Sequence, residues 1–193
     1  NPGDRVLDLC AAPGGKSTEL AAKLNGKGVL VSNDISATRA KALIKNLGVF
    51  GIKNALITSE TPKNLSDVFK GYFNKILVDA PCSGLGILQK KLDMRWRKEE
   101  SQLQELPKLQ QQILQHASSY VKVGGHLVYS TCTINTLENE GVVENFLREN
   151  PNFLLEDVAP LLPFAAEGPM VTLLPHVYDM DGFFIARLRK ETP

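Results

Sequence analysis

The chain has 193 residues, 43% of them hydrophobic and 22% charged, which is enough for one well-buried core and too few for two full domains. No apolar run approaches the roughly 18 residues of a membrane-spanning helix, and the first residues lack the charged and apolar regions of a signal peptide. A cytoplasmic, monomeric protein is expected, and its net charge of +1 leaves any affinity for nucleic acid to a local patch or to another domain.

Strand-like sequence begins by Arg5, which leaves no room for a leader, an initiator Met or a preceding helix and reads as a domain taken from a longer protein. The first third alternates strand and helix: Arg5–Leu9, Ser17–Leu24, Val29–Asn33, Ser36–Phe50 and Ala55–Thr58. Ser17 and Ser36 are the expected caps, and Gly26, Gly28, Gly48 and Gly51 punctuate the helix ends. A short helix over Asn64–Phe69 precedes the apolar strand Lys75–Val78.

After a long polar loop, Leu106, Leu109, Ile113, Ala117 and Tyr120 mark one face of a helix, with Pro107 tolerable only in its first turn and Gly124 and Gly125 ending it. Strand His126–Ser130 and a helix over Leu137–Arg148 follow. In the tail, Pro160, Pro163, Pro169 and Pro175 break the chain into a loop between two strands, Phe153–Glu156 and Phe183–Arg189. Seven strands with helices between them predict a doubly wound α/β sheet, whose ligands bind beyond the carboxyl ends of the strands.

The segment Asp8-Leu9-Cys10-Ala11-Ala12-Pro13-Gly14-Gly15-Lys16-Ser17 joins the first strand to the first helix, and its small residues let backbone approach a ligand at the helix N-terminus. A phosphate-binding loop, G-x-x-x-x-G-K-[ST], fits Cys10 to Ser17 except that Cys10 replaces the first glycine, and Ile76-Leu77-Val78-Asp79 resembles its magnesium-holding strand. An adenosine-sulfonium site competes: it needs a tight glycine turn and an acid after the second strand, which Asp34 supplies unless it is only a helix cap. The dinucleotide pattern G-x-G-x-x-G is absent.

Cys10, Cys82 and Cys132 are odd in number and far apart, which reads as reduced thiols rather than a disulfide framework or zinc site. Asp79-Ala80-Pro81-Cys82-Ser83-Gly84 follows the fourth strand, and Ser130-Thr131-Cys132-Thr133 follows the fifth. If those strands are neighbours, roughly 5 Å apart, Cys82 and Cys132 converge on one pocket beside the glycine loop. Each alone would read as a small buried apolar residue; two at the ligand-binding edge point to chemistry. His116, His126 and His176 are isolated and lack metal-ligand spacing, so no metal is expected.

These segments resemble the RNA cytosine-5 methyltransferases of the Fmu/Sun/RsmB ribosomal-RNA type, over nearly the whole chain: DLCAAPGGKST, ILVDAPCSGLG, MRWRK, GGHLVYSTCT, ENEGVVENFL, LLPH and DGFFIARLRK. The resemblance implies a Rossmann-like class I fold, a seven-stranded mostly parallel sheet with a reversed last strand and helices on both faces. It also implies S-adenosylmethionine as methyl donor, ribosomal RNA as partner, and N-terminal RNA-binding segments not contained in residues 1–193. By position, Cys10 through Lys16 would form the cofactor loop, Asp34 would hold the ribose hydroxyls and Asp79 would line the cofactor and base pocket. Cys132 would be the nucleophile and Cys82 the cysteine that aids product release. The family's adenine-contacting Asp is missing; Thr61 falls at its position, and Glu60 is the nearest acid.

The chemistry so implied needs a thiolate, because carbon-5 of cytosine becomes nucleophilic only after a sulfur adds to carbon-6. Lys16 is the candidate for stabilising that anion, with a solvated lysine as the alternative. Residues alone do not rank the two cysteines, since DNA cytosine methyltransferases use the one in the Pro-Cys motif. Lys90, Lys91, Arg95, Trp96, Arg97 and Lys98 form the densest basic stretch with an aromatic inside it, suited to RNA contact unless Asp93, Glu99 and Glu100 merely neutralise a solvated loop.

Overall fold

The computed structural model describes residues 1–90 and 100–193. Its centre is a sheet in which β1 (Arg5–Asp8), β2 (Val29–Asn33), β3 (Ala55–Thr58), β4 (Phe73–Asp79) and β5 (Val121–Thr131) lie parallel in the order β3-β2-β1-β4-β5. Central strands buried on both faces read as continuous apolar runs. Val6 and Leu30 pack under α1 (Gly15–Leu24), whereas their neighbours Leu7 and Val31 point to the opposite face, into the core shared with α3 (Glu100–Tyr120) and α4 (Glu140–Glu149). Helix α2 (Ala37–Val49) closes the first face with Leu43 and Leu47.

Three further strands complete the far side. β8 (Phe183–Lys190) pairs antiparallel with β5, and its other edge is shared end to end by β6 (Phe153–Glu156) and β7 (Met170–Leu173), both antiparallel to it. Among the described strands β8 alone is reversed, as expected, but the sheet has eight strands rather than seven. The extra one, β7, lies in the proline-broken tail, where Val171 and Leu173 bury one face and only four residues alternate. That is too short a pattern to stand out between prolines.

Several boundaries differ from the sequence reading. Helix α1 begins at Gly15, so Ser17 is inside it and buried, not a cap; Ser36 does cap α2, accepting the Arg39 N–H at 3.3 Å. Pro107 sits inside α3, which starts well upstream. Gly124 and Gly125 fall within β5, where the register against β4 shifts, instead of ending α3. The stretch read as one short helix is two single 3-10 turns, Pro62–Asn64 and Asp67–Phe69. Helix α4 starts at Glu140, since Asn135 to Asn139 form a turn whose Glu138 and Asn139 are wholly buried.

Candidate active site

The strand order reverses direction at β1 and β4, and at such a switch point the loops leaving the two strands part and open a crevice. The loop after β1 is stapled in place by its neighbours. Ala11 donates to the Asn33 carbonyl at 2.8 Å, Ala12 donates to Asp34 Oδ2 at 3.2 Å, and Arg39 and Asn46 reach back to the carbonyls of Ala12 and Pro13. Gly14 caps α1 at φ 110°, and a side chain there would come 2.9 Å from Leu43, so both the turn and the fit require glycine. Among the described residues no side chain caps α1, which leaves its first N–H groups for an anionic ligand.

Two adjoining cavities open there. One of about 250 Å³ is lined by Asp8, the loop residues Cys10, Ala11, Ala12, Pro13, Gly15 and Lys16, and Asp79. The other, about 310 Å³, shares Cys10, Ala12 and Asp79 and continues past Asp34 to Cys82 and Cys132. Its far wall is apolar: Ile35, Pro62, Leu109 and Ile113. A larger cavity of about 560 Å³, between Asn25 and Lys53 at the other end of α1, has no cysteine or carboxylate in its lining.

Nearly all the expected site residues thus converge. Gly14 stands behind the loop, and the exceptions are Glu60 and Thr61, which line neither cavity. Asn33 explains this: its side chain accepts the Glu60 N–H and donates to the Glu60 carbonyl, both at 3.0 Å, so the backbone is held while the Glu60 side chain is exposed. Of the basic stretch, Lys91, Arg95, Trp96, Arg97 and Lys98 lie outside the described residues, and Lys90 pairs with Asp181 at 2.7 Å.

The sulfurs of Cys82 and Cys132 are 3.3 Å apart, a sulfur to sulfur hydrogen bond between free thiols. Two thiols so close lose their protons in two steps that belong to the pair. The hydrogen bond from Cys82, ahead of smaller help from backbone N–H and Lys16, overcomes burial and the Asp79 charge and lowers Cys132 to about 7; the same contact, then burial, pushes Cys82 up. Burial and surrounding carboxylates push Cys10 up to about 12, which leaves it an inert wall of the cavity. Lys16, the candidate for electrostatic support of the thiolate, puts Nζ 2.7 Å from Asp79 Oδ2, while Ser130 donates to Asp79 Oδ1 at 2.9 Å. The main support for the anion is therefore the second cysteine.

Sequence reading misses Gln110 and Glu138, both wholly buried. A signal exists for Gln110: it occupies a core position of the Leu106, Ile113, Ala117 stripe, where a glutamine needs buried partners. Glu138 opens the ENEGVVENFL segment of the family resemblance, but nothing in the local pattern marks it as buried.

The fold and the crevice define a Rossmann-like methyltransferase domain. The chain belongs to the 16S rRNA methyltransferase RsmB/F family, whose model matches residues 1–189. It is 37% identical to ribosomal RNA small subunit methyltransferase F of Erwinia tasmaniensis, covering 96% of this chain and 40% of that protein. It is likewise 37% identical to the 25S rRNA (cytosine-C(5))-methyltransferase nop2 of Schizosaccharomyces pombe, over 98% of this chain and 34% of that one. The crystal structure of NSun6 from Pyrococcus horikoshii with SFG superposes with a TM-score of 0.87 at 32% identity, covering 98% of this chain and 48% of that chain. The chain thus spans less than half the length of these relatives.

Proposed function

We propose that residues 1–193 are the catalytic domain of a longer, cytoplasmic, monomeric RNA cytosine-5 methyltransferase that uses S-adenosylmethionine and acts on ribosomal RNA. The observation that carries this reading is the Cys82 and Cys132 pair, with sulfurs 3.3 Å apart, opening into the same cavity as the loop after β1. The names of the relatives support the substrate class, and SFG, an S-adenosylmethionine analogue, in NSun6 supports the cofactor.

The crevice suits that cofactor. The uncapped N-terminus of α1 and Lys16 would take its carboxylate end, and the Ile35, Pro62, Leu109 and Ile113 wall its purine. Asp34 would take the ribose hydroxyls: its oxygens already accept from the Ala12 and Ser36 N–H groups and pair with Arg39 at 3.2 Å, but a carboxylate has about four acceptor sites, so capacity remains. When bound, the cofactor supplies an electrophilic methyl group.

The protein's own groups do the rest. The Cys132 thiolate adds to carbon-6 of an unstacked cytosine, and the electron pair so released makes carbon-5 nucleophilic. Asp79, fixed by Lys16 and Ser130, accepts a hydrogen bond from the cytosine amino group and holds the ring in register. Once carbon-5 has bonded to that methyl group, its proton passes to solvent water, the C–H electron pair restores the carbon-5 to carbon-6 double bond, and the carbon-6 to sulfur pair leaves with sulfur as a thiolate that returns to the hydrogen bond of Cys82.

Two measurements test the proposal. Calorimetry should detect S-adenosylmethionine and not ATP with magnesium; binding of the latter alone would point to a nucleotide hydrolase and overturn the reading. Methyl transfer into ribosomal RNA by the full-length protein should yield 5-methylcytosine on nucleoside analysis, and its absence would leave an idle RNA-binding domain.

A further inference from the structure

Cys82 lies between two pinned peptide groups. On one side the carbonyl of Pro81 accepts from Gln110 Nε2 at 2.9 Å; on the other the Ser83 N–H donates to Glu138 Oε2 at 2.8 Å, and Gln110 bonds that same oxygen at 2.9 Å. Cys132 is pinned just as closely. Asn139 Oδ1 accepts from the Thr131 hydroxyl at 2.6 Å, and Asn139 Nδ2 donates to the Thr133 carbonyl at 3.0 Å. Glu138 and Asn139 are consecutive, and Tyr129 locks the peptide between them by donating to the Glu138 carbonyl at 2.7 Å.

We propose that Glu138 and Asn139 are positioning residues for methyl transfer, a rigid dipeptide that fixes the Cys82 loop with one side chain and the Cys132 segment with the other and so sets the sulfur to sulfur spacing. The ladder is polar in a way that admits no simple substitute. Glu138 Oε1 accepts from Asn135 Nδ2 at 3.0 Å, and Asn135 cannot turn its amide over because its Oδ1 accepts the Leu137 N–H at 3.1 Å. A glutamine in place of Glu138 would set one NH₂ group against another. The Gln110 amide is likewise fixed, with both donors committed to acceptors. A loop freed by even a fraction of an ångström weakens a contact of this kind steeply.

The inference rests on the reading of Cys132 as the reactive thiol, and the test separates the two. Alkylation by iodoacetamide is followed by mass against pH in wild type, Glu138→Gln, Gln110→Met and the double variant Glu138→Gln with Asn135→Asp. Cys10 and Cys82 are held protonated, so the neutral-range reaction reports Cys132, and the charged groups facing it, Asp79 and Lys16, are unchanged in every variant. Binding of S-adenosylhomocysteine checks that each variant is folded.

Wild type should titrate near 7. Glu138→Gln and Gln110→Met should bind the analogue as wild type does yet titrate in the free-thiol range, with alkylation at pH 7 slowed about tenfold. The double variant exchanges donor and acceptor, so that the introduced carboxylate accepts from the introduced amide, and it should recover the wild-type profile. Wild-type profiles in the folded single variants would overturn the positioning role. Should Glu138→Gln not fold, Gln110→Met, which deletes both donors along with an amide oxygen that has no partner among the described residues, decides by itself. A wild-type protein with no thiol titrating near neutrality would instead sink the reading of Cys132.

Discussion

The sulfur of Cys132 lies 3.3 Å from that of Cys82, at the end of the neighbouring strand. The hydrogen bond from one thiol is the largest influence favouring the anion of the other, ahead of the Lys16 charge. The prediction is that Cys82→Ala raises the pH at which Cys132 reacts from about 7 toward the free-thiol value of about 8.5. Iodoacetamide rates against pH measure this directly; a profile unmoved by Cys82→Ala would transfer the credit to Lys16.

Family resemblance, rather than placement, ranks the cysteines, and paired variants with RNA decide the matter. Cys132→Ala should abolish both turnover and any covalent protein to RNA adduct. Cys82→Ala should accumulate the adduct, because the departing thiolate loses its hydrogen-bond donor. Denaturing gels of protein mixed with RNA and S-adenosylmethionine read the outcome, and the opposite pattern would swap the roles.

Asp79 meets Lys16 Nζ on one oxygen and the Ser130 hydroxyl on the other. In Asp79→Asn the amide oxygen stays with Lys16 and the NH₂ group turns to the Ser130 hydroxyl, which can accept from it, so the charge and the acceptor proposed for cytosine are lost. Turnover should fall by on the order of a hundredfold, with less change in cofactor-analogue affinity. Near-wild-type single-turnover rates would remove Asp79 from the chemistry.

What is legible in the sequence follows from the range of the interactions. Strand and helix alternation through residue 60 rests on local periodicity, and so does the placing of Cys82 and Cys132 at strand ends; both are short-range signals. Their contact, by contrast, depends on β4 and β5 being neighbours, which only the sheet order supplies. The partners that fix the pair are remote: Glu138 is 28 residues from Gln110 and 55 from Ser83, and such links leave no trace in local pattern. Counting from Asn54 places Thr61 and Glu60 at the adenine, yet the backbone there is set by the Asn33 side chain, a buried polar contact that counting does not see. β7 escapes for the opposite reason: four residues among prolines carry too little periodicity.

Asp8 gives a stability prediction with a definite sign. Burial, opposed by the Ser17 hydrogen bond and assisted by the charge of Asp79, raises its carboxyl from the ordinary 3.8 to about 6, and Oδ1 has no hydrogen-bond partner among the described residues. Between those values the folded protein keeps a proton that the unfolded chain has released. The favourable contribution is therefore complete below about pH 4 and is lost as pH rises through about 6. Asp8→Asn stays neutral and can keep the Ser17 bond, so it should be more stable than wild type at pH 8 by on the order of 2 kcal/mol, and close to it at about pH 4.5. Urea unfolding at both values measures this; an equal difference at both would show that Asp8 is not the titrating group.

Gly86 joins the thiol pocket to the turn before β8. Its N–H donates to the Cys132 carbonyl at 3.0 Å and its own carbonyl accepts from Gly182 at 2.9 Å. The two glycines touch: a Cβ on Gly86 would overlap the Gly182 carbonyl, and a Cβ on Gly182 would come 2.6 Å from the Gly86 Cα and 2.9 Å from Ile134. No flexible side-chain end can yield at the first position, since the obstacle is backbone. Gly86→Ala should therefore force the loop away from Gly182 and pull on Cys132, costing about 1–3 kcal/mol of stability. It should also slow alkylation of Cys132 at about pH 7, because the strain is delivered to the carbonyl of Cys132 itself. Gly48→Ala, in α2 with nothing within 4 Å of the new Cβ, is the control and should leave both quantities at or slightly above wild type. Equal behaviour of the two variants would mean that the close approach of Gly86 to Gly182 has no hold on the site.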